Sequence, residues 1–280
     1  MGKIRDTSKL PKYPYEMEAR MPRKAVSQVQ KLWKKIWRGF KWPRNFGAIH
    51  VFYRLSDGGY DKIKPDYINN NNCLANFISN FSRENVTLIA DNVKESTWND
   101  LCEKYPDLMM LHTNYGDGAQ SFNHALDLAL ELPQDDIIYF VEDDYLHRTG
   151  SRNIMLEGFS LGADYVTLYD HPDKFMDEVN PFIVGNGEVT TVFLSASCHW
   201  KLTNSTTMTF ATTVSTLRKD EMIIRERTKT SHPQDFDLFI DLREKGRSLL
   251  SPLPGYSTHG EIQWLSPLVD WEKIASENTQ

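Results

Sequence analysis

Three consecutive carboxylates stand in the middle of the chain, at Glu142, Asp143 and Asp144. They directly follow residues 137–141, an apolar and β-prone run that is typical of a strand buried on both faces. Carboxylates at a strand end are held close together, so their mutual repulsion favours a bound cation. Oxygen ligands of this kind suit Mg²⁺ or Mn²⁺. Because acid clusters also occur in ordinary loops, the spacing alone leaves a metal site and a solvated loop both open.

The charge is divided between a basic end and an acidic body. The chain has 280 residues, enough for one large α/β domain with an extension. Residues 1–46 carry 13 Lys and Arg against 3 Asp and Glu, whereas the remainder carries 19 against 35. We therefore predict a basic N-terminal extension, residues 1–46, on a single domain formed by residues 47–280.

The cysteines and the N-terminal residues bear on the cellular compartment. The chain has three widely spaced cysteines and no C-x-x-C pair, so neither a disulfide framework nor a zinc site is expected. The N-terminal residues lack the apolar core of a signal peptide, and no apolar run approaches the ~20 residues that span a bilayer. These features predict a cytoplasmic protein.

Residues 24–40 have the pattern of a basic amphipathic helix. Apolar residues that include Trp33 and Trp37 recur at helical spacing, and lysines and arginines occupy much of the rest. Such a helix can lie on an anionic membrane surface, here through residues 24–41 at the inner face of a membrane. Equally, the aromatic stripe can pack on the body while the lysines are solvated. The acidic body argues against a nucleic-acid partner.

From residue 47 onwards, strands and helices alternate. The predicted strands are 48–53, 86–90, 108–111 and 137–141, and the predicted helices are 67–82, 96–105 (with Ser96 as its N-cap) and 119–132. Parallel neighbouring strands need such crossovers, so the pattern predicts a parallel, doubly wound sheet. Ligands bind beyond the carboxyl ends of the strands in these sheets. The polar residues that fall there are Arg54, Asp91, Asn114 and the acids at 142–144.

The second half of the chain is predicted to be rich in β-structure. The predicted elements are a helix at 150–161, a strand at 163–169, a β-hairpin region at 183–217, a helix opened by a Ser231–Gln234 capping box, and a final helix at 264–274. Asp235 and Asp237 would lie in the first turn of the capped helix, and Gly246 would end it.

An ordered set of motifs along residues 47–274 resembles the GT-A nucleotide-sugar glycosyltransferases. Phe140-Val-Glu-Asp-Asp144 is similar to the DxD element of that fold. Tyr169-Asp-His-Pro-Asp-Lys174, His232-Pro-Gln-Asp-Phe-Asp237, Ser257-Thr-His-Gly-Glu261 and Trp264-Leu-Ser-Pro267 resemble a group of small glycosyltransferases from bacterial surface-polysaccharide clusters and large algal viruses. The resemblance implies an α/β chain of the GT-A fold. Its Rossmann-like nucleotide-binding half, residues 47–147, would have a mainly parallel central sheet, and residues 148–280 would form a β-rich acceptor half.

The resemblance also implies a metal and a nucleotide site. Mn²⁺ or Mg²⁺ would be held by Asp144, by Asp143 or Glu142, and by His259. Because the motif reads Glu-Asp-Asp and not Asp-x-Asp, the pair of acids that contacts the metal stays open. The implied nucleotide-binding residues are Arg54, Ser56, Asp91, Gln120, Asn123 and Asp143.

An inverting transferase also needs a carboxylate that takes the proton of the acceptor hydroxyl. Asp235 is the predicted base and Asp237 its rival, and the dipole of the helix is expected to keep either acid ionised. Acids in a first turn also complement that dipole without any catalytic role. The acceptor-side candidates are Asp170, His171, His199, Trp200 and Glu261.

The expected function is therefore a metal-dependent, inverting hexosyl- or deoxyhexosyltransferase. It would move a sugar from a nucleotide-diphosphate donor, of the UDP or dTDP type, to a glycan or lipid-linked acceptor in surface-polysaccharide or glycoprotein-glycan synthesis. A sugar-phosphate nucleotidyltransferase is the alternative enzyme, but the loop after Arg54 lacks the run of basic residues that such enzymes show. A carbohydrate-binding protein without activity would not need the clustered acids.

The membrane hypothesis is tested by deleting residues 1–46. If the basic helix lies on the membrane, the truncated protein should bind vesicles of anionic lipid more than tenfold more weakly, because each basic residue near such a surface contributes about 1 kcal/mol. Co-sedimentation with anionic and neutral vesicles measures the difference. Equal binding by both forms would show that the aromatic stripe of the helix packs on the body of the protein instead.

Overall fold

A computed structural model describes residues 46–58, 62–177 and 179–277. The predicted helix at 24–40, and nearly all of the basic extension, lie outside the described residues. Within the described part of the chain, no helix combines the length and the apolar character that crossing a membrane requires.

The described strands form one large mixed sheet and one short ribbon. They are β1 Ile49–Leu55, β2 Val86–Asp91, β3 Met109–Thr113, β4 Ile137–Glu142, β5 Tyr145–His147, β6 Tyr165–Val166, β7 Val192–Leu194, β8 His199–Thr203, β9 Phe210–Thr213, β10 Leu249–Leu253 and β11 Ser257–His259. The strand order of the large sheet is β3-β2-β1-β4-β9-β6-β10-β8-β7. Strands β3, β2, β1 and β4 are mutually parallel, which confirms the predicted parallel half. β9 joins antiparallel to β4 and continues the sheet into the second half, and β5 pairs with β11 in the ribbon.

Helices cover both faces of the large sheet. They are α1 Asn70–Phe81, α2 Glu95–Lys104, α3 Gly118–Leu130, α4 Ser151–Ser160, α5 Val214–Arg227, α6 Asp235–Glu244 and α7 Trp271–Ser276. One face packs on α1, α2 and α4, through residues such as Phe77 and Met155. The opposite face packs on α3, α5 and α6, through residues such as Phe122 and Phe239. β4 lies between these layers with residues 137–141 fully buried, as its apolar run predicts.

Several predicted boundaries are wrong, each for a local reason. Helix α5 begins inside the region predicted as a β-hairpin, because the hydroxyl of Thr213 caps it by accepting a hydrogen bond from the backbone N–H of Thr216. Helix α6 begins at Asp235 with Gln234 as its N-cap, so the predicted Ser231 capping box does not form. Likewise, α2 begins after Lys94 and is not capped by Ser96.

Two further segments are shorter than predicted. The strand expected at 163–169 pairs only at Tyr165–Val166. The last predicted helix is divided into a single 3-10 turn at Ile262–Trp264 and helix α7, which begins only after Asp270. The carboxylate of Asp270 accepts from the N–H of Lys273, and Pro267 lies in the loop between the two elements.

Trp200 belongs to the core, so the prediction that it is an acceptor-side residue is wrong. Its side chain is fully buried, and its indole N–H donates to the Oγ of Ser195 at 3.0 Å. The ring lies against α4 at Gly158, where an added Cβ would be 2.8 Å from Cη2 of Trp200 and 2.9 Å from Cγ2 of Val166. The absence of a side chain at Gly158 therefore sets how closely α4 approaches the sheet.

Gly158→Ala should destabilise the fold by about 1–3 kcal/mol, because the clash outweighs the gain of about 1 kcal/mol in helix propensity. Chemical denaturation measures this change in the free energy of unfolding. Gly187→Ala is the matched control, since a Cβ there has no heavy atom within 4 Å, and its effect should stay within about 0.5 kcal/mol. A Gly158→Ala protein as stable as wild type would contradict the close packing of α4 on Trp200.

Candidate active site

An ion pair joins the ends of β1 and β4. Arg54 is in register with Glu142 on the neighbouring parallel strand. Its Nη2 donates to Oε1 of Glu142 at 2.9 Å, and its Nη1 donates to the carbonyl oxygen of Gly118 at 3.0 Å. The guanidinium is almost completely buried, so its charge is little screened by water. Arg54 thus fixes the ends of two strands against the start of α3.

The ribbon brings a histidine from near the end of the chain to the acid cluster. Tyr145 of β5 pairs with His259 of β11, directly beside Asp144. The Nε2 atom of His259 lies 3.4 Å from Oδ2 of Asp144. Glu142, Asp144 and His259 each offer one ligand atom, and these three atoms lie within 4.8 Å of one another. The predicted meeting of His259 with the strand-end acids is therefore present in the geometry.

These residues fit a hard divalent cation. The Oδ1 atom of Asp144 is buried and has no hydrogen-bond partner among the residues that the structure describes. A buried carboxylate oxygen in that condition is costly unless a cation or a donor approaches it. Burial alone would raise the pKa of Asp144, but His259 and two neighbouring lysines outweigh it and hold that pKa well below its usual value. The carboxylate is therefore ionised and available as a ligand.

Asp143 has a different partner. Its Oδ2 accepts a hydrogen bond from the backbone N–H of Ser56 at 2.8 Å, which holds the start of the loop after β1. Burial, together with the charge of Asp144, raises the pKa of Asp143 above its ordinary value. Asp143 is not one of the three residues that group around the candidate metal position.

A cleft of about 420 Å³ opens above these acids. Its lining includes four of the predicted nucleotide-binding residues, Arg54, Ser56, Asp91 and Asp143. The two remaining ones are elsewhere. The amide of Gln120 donates to Asp117 at 3.3 Å, and the amide of Asn123 donates to the carbonyl oxygen of Thr228 at 2.9 Å. Helix α3 instead presents Gly118 and Ser121 to the cleft, three residues apart and so on one side of the helix.

Asp91 shapes the end of the cleft that lies over β2. Its carboxylate accepts from the hydroxyl of Thr113 at 2.9 Å and from the backbone N–H groups of Tyr115 at 2.7 Å and Gly116 at 3.1 Å. These bonds hold the turn between β3 and α3. A role in holding a nucleotide base stays a prediction for this residue.

The two candidate bases have different surroundings. Asp237 is exposed and lies 3.7 Å from Arg227, which also binds Asp241 at 2.7 Å. Asp235 is partly buried, and burial followed by the charge of Glu142 raises its pKa to about 7. Burial and the charge of Glu142 thus oppose the helix dipole that was expected to keep Asp235 ionised, and they exceed the stabilisation by its backbone N–H donors.

The predicted acceptor-side residues do not form one cluster. Asp170 is buried in an ion pair with Lys201 at 2.8 Å. His171 accepts through Nδ1 from the backbone N–H of Asp173 at 3.1 Å. His199 is exposed on β8, and Glu261 precedes the last 3-10 turn. Asp170 also borders an apolar groove of about 480 Å³ whose lining includes Phe175, Met176 and Leu268.

Sequence reasoning missed two cations in the cleft. The Nζ atoms of Lys62 and Lys64 lie 3.1 and 3.0 Å from Oδ2 of Asp144. Their spacing, on alternate residues after the β1 loop, was the available signal. The loop directly after Arg54 does lack basic residues, but Lys62 and Lys64 follow it and line the cleft, so that lack no longer counts against a nucleotidyltransferase. Ser231 and His232 also line the cleft.

The arrangement of layers, sheet and cleft is the GT-A fold. The structure is similar to the crystal structure of GalNAc-T7 with UDP, GalNAc and Mn²⁺, with a TM-score of 0.53 and 10% sequence identity over 80% of this chain. The match covers 46% of the GalNAc-T7 chain, so this chain spans less than half of that protein's length. A likeness at this identity establishes the fold alone.

Two other solved structures are more loosely similar. S. aureus TarS matches 73% of this chain and 35% of its own with 16% identity and a TM-score of 0.44. A putative glucose-1-phosphate thymidylyltransferase from Bacillus anthracis, in complex with a sucrose, matches 82% of this chain and 95% of its own with 11% identity and a TM-score of 0.48. Neither is close enough to carry an argument. No protein-family model and no curated protein matches the chain.

The raised pKa of Asp235 predicts a stability effect that depends on pH. The folded chain binds this proton more tightly than the unfolded chain, whose aspartate pKa is about 3.9, so stability falls as pH rises from there to about 7. Asp235→Asn should therefore raise Tm, increasingly up to about pH 7 and by a constant amount above it. Each kcal/mol that is relieved adds about 2–4 °C.

Thermal unfolding across this pH range, in the presence of a chelator, measures the effect. Asp237→Asn is the control, because that carboxylate is exposed and should give a shift that changes little with pH. A Tm gain for Asp235→Asn that does not depend on pH would contradict the burial of this carboxyl group.

Proposed function

We propose that the protein is a metal-dependent, inverting glycosyltransferase that moves a sugar from a nucleotide-diphosphate donor to a hydroxyl group of an acceptor. The observation that carries the proposal is the convergence of Glu142, Asp144 and His259, of which Glu142 and Asp144 line the cleft. In addition, Asp235 lies close enough to Glu142 for the charge of that residue to raise its pKa.

The proposed metal ligands are Asp144, Glu142 and His259, and the proposed ion is Mn²⁺ or Mg²⁺. A bound divalent ion supplies positive charge that stabilises the departing diphosphate. Asp143 is proposed to stay next to the ligands, where its bond to the N–H of Ser56 keeps the loop after β1 against the cluster. GalNAc-T7, which has the same fold, contains UDP, GalNAc and Mn²⁺ in its crystal structure.

The walls of the cleft are proposed to bind the nucleotide, of the UDP or dTDP type. Asp91 and the turn that it holds would contact the base, and the loop at Ser56 would contact the sugar or phosphate groups. Arg54 would act by position, since it keeps Glu142 and the start of α3 in place. The cleft therefore extends from the turn after β3 to the acids at the end of β4.

Asp235 is proposed to accept the proton of the acceptor hydroxyl as that oxygen attacks the anomeric carbon. A general base is most effective when its pKa is near the working pH, and burial together with Glu142 raises the pKa of Asp235 to about 7. Asp237 is the weaker candidate, because it is exposed and directed towards Arg227. On the acceptor side, His171 and Glu261 are proposed to contact a glycan or lipid-linked acceptor.

The proposal also covers the transferred sugar, the product and the place of the reaction in the cell. The transferred group would be a hexose or deoxyhexose, and the product would belong to a surface polysaccharide or a glycoprotein glycan. The basic residues 24–41 would hold the enzyme at the inner face of a membrane, where lipid-linked acceptors are assembled.

A sugar-phosphate nucleotidyltransferase is the second candidate. Lys62 and Lys64 favour it, since they place two ammonium groups after β1 in a cleft that fits a nucleotide. The two reactions differ in their products. A nucleotidyltransferase uses a nucleoside triphosphate and releases pyrophosphate, whereas a glycosyltransferase releases a nucleoside diphosphate.

The test is a panel of nucleotide sugars with Mn²⁺, assayed for release of nucleoside diphosphate and for binding by thermal shift. Wild type should turn over at least one donor, and chelation should stop the reaction. Asp144→Asn should abolish metal-dependent nucleotide binding, because it removes the buried anionic ligand. Asp235→Asn should keep donor binding and lower transfer by at least about 100-fold, as the loss of a general base does.

Asp237→Asn is the matched control for the base and should retain transfer. Transfer by Asp235→Asn at the wild-type rate would remove Asp235 from the mechanism. Pyrophosphate release from a triphosphate and a sugar phosphate would replace the proposal with the second candidate. Glycan binding without metal or turnover would leave a non-catalytic carbohydrate-binding protein.

A further inference from the structure

Two lysines reach over the acid cluster from the segment that follows β1. The Nζ atoms of Lys62 and Lys64 both contact the same atom, Oδ2 of Asp144, at 3.1 and 3.0 Å. The lysine side chains are 23% and 32% exposed, whereas that of Asp144 is 5% exposed. The ammonium groups therefore approach a buried carboxylate from the open side of the cleft.

Lys62 also contacts the histidine of the cluster. Its Nζ lies 3.0 Å from Nε2 of His259. A lysine ammonium has no lone pair, so in the tautomer with an unprotonated Nε2 it donates to that nitrogen and occupies the lone pair that a metal would need, whereas a protonated Nε2 donates to Asp144 instead. One ammonium group thus bridges two of the three residues that fit a metal, and a divalent ion beside it would meet strong like-charge repulsion. Lys62 and a metal ion compete for the same ligand atoms.

The charges at the end of β4 are balanced while the lysines stay there. Glu142, Asp143 and Asp144 face Arg54, Lys62 and Lys64, three formal negative charges against three positive ones. A divalent ion added to this set leaves an excess of positive charge. The diphosphate of a nucleotide sugar carries the charge that offsets such an excess. Arg54 cannot leave, because it is buried between Glu142 and Gly118, but the lysine stems are flexible.

We infer that Lys62 and Lys64 are diphosphate-binding residues that exchange partners when the site is loaded. Without ligands, the two ammonium groups neutralise Asp144. When metal and nucleotide bind, the ammonium groups leave Asp144 and form ionic contacts with the phosphate oxygens. This inference rests on the proposed function and names the groups that hold the donor's diphosphate. It makes the two lysines positioning and specificity residues for a diphosphate, and it requires no step other than the exchange of ionic contacts.

The exchange couples the two ligands thermodynamically. Metal that binds alone must displace Lys62 while no anion is present to receive the ammonium group, so metal affinity is low. Metal that binds with UDP displaces the same group onto a phosphate, so metal affinity rises. By linkage, Mn²⁺ raises the affinity for UDP by the same factor. A variant without the ammonium group loses most of this coupling.

The experiment measures Mn²⁺ binding from the electron paramagnetic resonance signal of the free ion, with and without UDP. Lys62→Met and Lys64→Met keep most of the apolar stem and remove the charge. Each should bind Mn²⁺ about tenfold more tightly than wild type when UDP is absent, and should bind UDP about tenfold more weakly at saturating Mn²⁺. Lys104→Met is the matched control, because Lys104 is exposed and its Nζ contacts only Asn71 among the contacts described for it, at 3.3 Å. It should change neither affinity.

Two further variants distinguish failure of the lysine exchange from failure of the metal assignment. Lys62→Arg keeps the charge and should retain both the weak Mn²⁺ binding and most of the UDP affinity. Asp144→Asn should abolish Mn²⁺ binding. If Asp144→Asn loses Mn²⁺ but the methionine variants bind Mn²⁺ and UDP as wild type does, the lysines do not exchange, and only this inference is overturned. If neither wild type nor the methionine variants bind Mn²⁺, the metal assignment falls together with it.

Loss of fold is distinguished from loss of charge by thermal unfolding. With chelator present, the methionine variants should have a lower Tm than wild type, because Asp144 has lost a cation. Saturating Mn²⁺ should close this gap, since the metal neutralises the same carboxylate. A gap that Mn²⁺ leaves unchanged would show that the lysines only support the structure.

Discussion

Repulsion between three consecutive carboxylates is the constraint on which the site depends. Glu142, Asp143 and Asp144 follow one another at the end of a strand that is buried on both faces, so none of them can move far away from the others. Each is stabilised by partners outside the strand, which come from residues 54–64 and, for Asp144, also from β11. Glu142 has the guanidinium of β1, Asp143 has a backbone N–H of the loop after β1, and Asp144 has His259 and the two lysines. The elements around the cleft are thus positioned by the charges that they neutralise.

The two halves of the sheet contribute differently to the chemistry. The parallel half directs the ends of β1, β2 and β4 to one edge, where Arg54, Asp91 and the acids line a single cleft. The second half adds groups from outside this edge, namely His259 from the ribbon and Asp235 from the start of α6. The parallel layer therefore holds the acids, and separate elements bring Asp235, the proposed base, and His259, the proposed additional ligand, towards them. This division suits a reaction in which a donor is held while an acceptor hydroxyl is activated.

The parallel half could be predicted from the sequence because its signals are local. Strand–helix alternation located β1 to β4, and the acid cluster followed from one apolar run and the residues after it. Features that depend on packing could not be found in this way. Trp200 is a residue type that can pack on the face of a sugar ring, but this one is buried because Gly158 lets helix α4 pack against it. Asn123 and Gln120 lie on the expected helix, but its rotation directs Gly118 and Ser121 to the cleft. Lys62 and Lys64 form no motif, and only the three-dimensional path of the chain brings them to Asp144.

The β5–β11 ribbon joins two segments that lie far apart in the sequence. Its strands are Tyr145–His147 and Ser257–His259, so more than a hundred residues separate partners that contact each other directly. On a ribosome, the acids at 142–144 emerge long before His259 does, and pairings between distant segments form late in folding. A partly synthesised chain can therefore assemble the strands that carry the acids while it lacks the histidine beside them. Such a chain has the acids at 142–144 but not yet His259, so the three residues that could hold a metal meet only after β11 has been made.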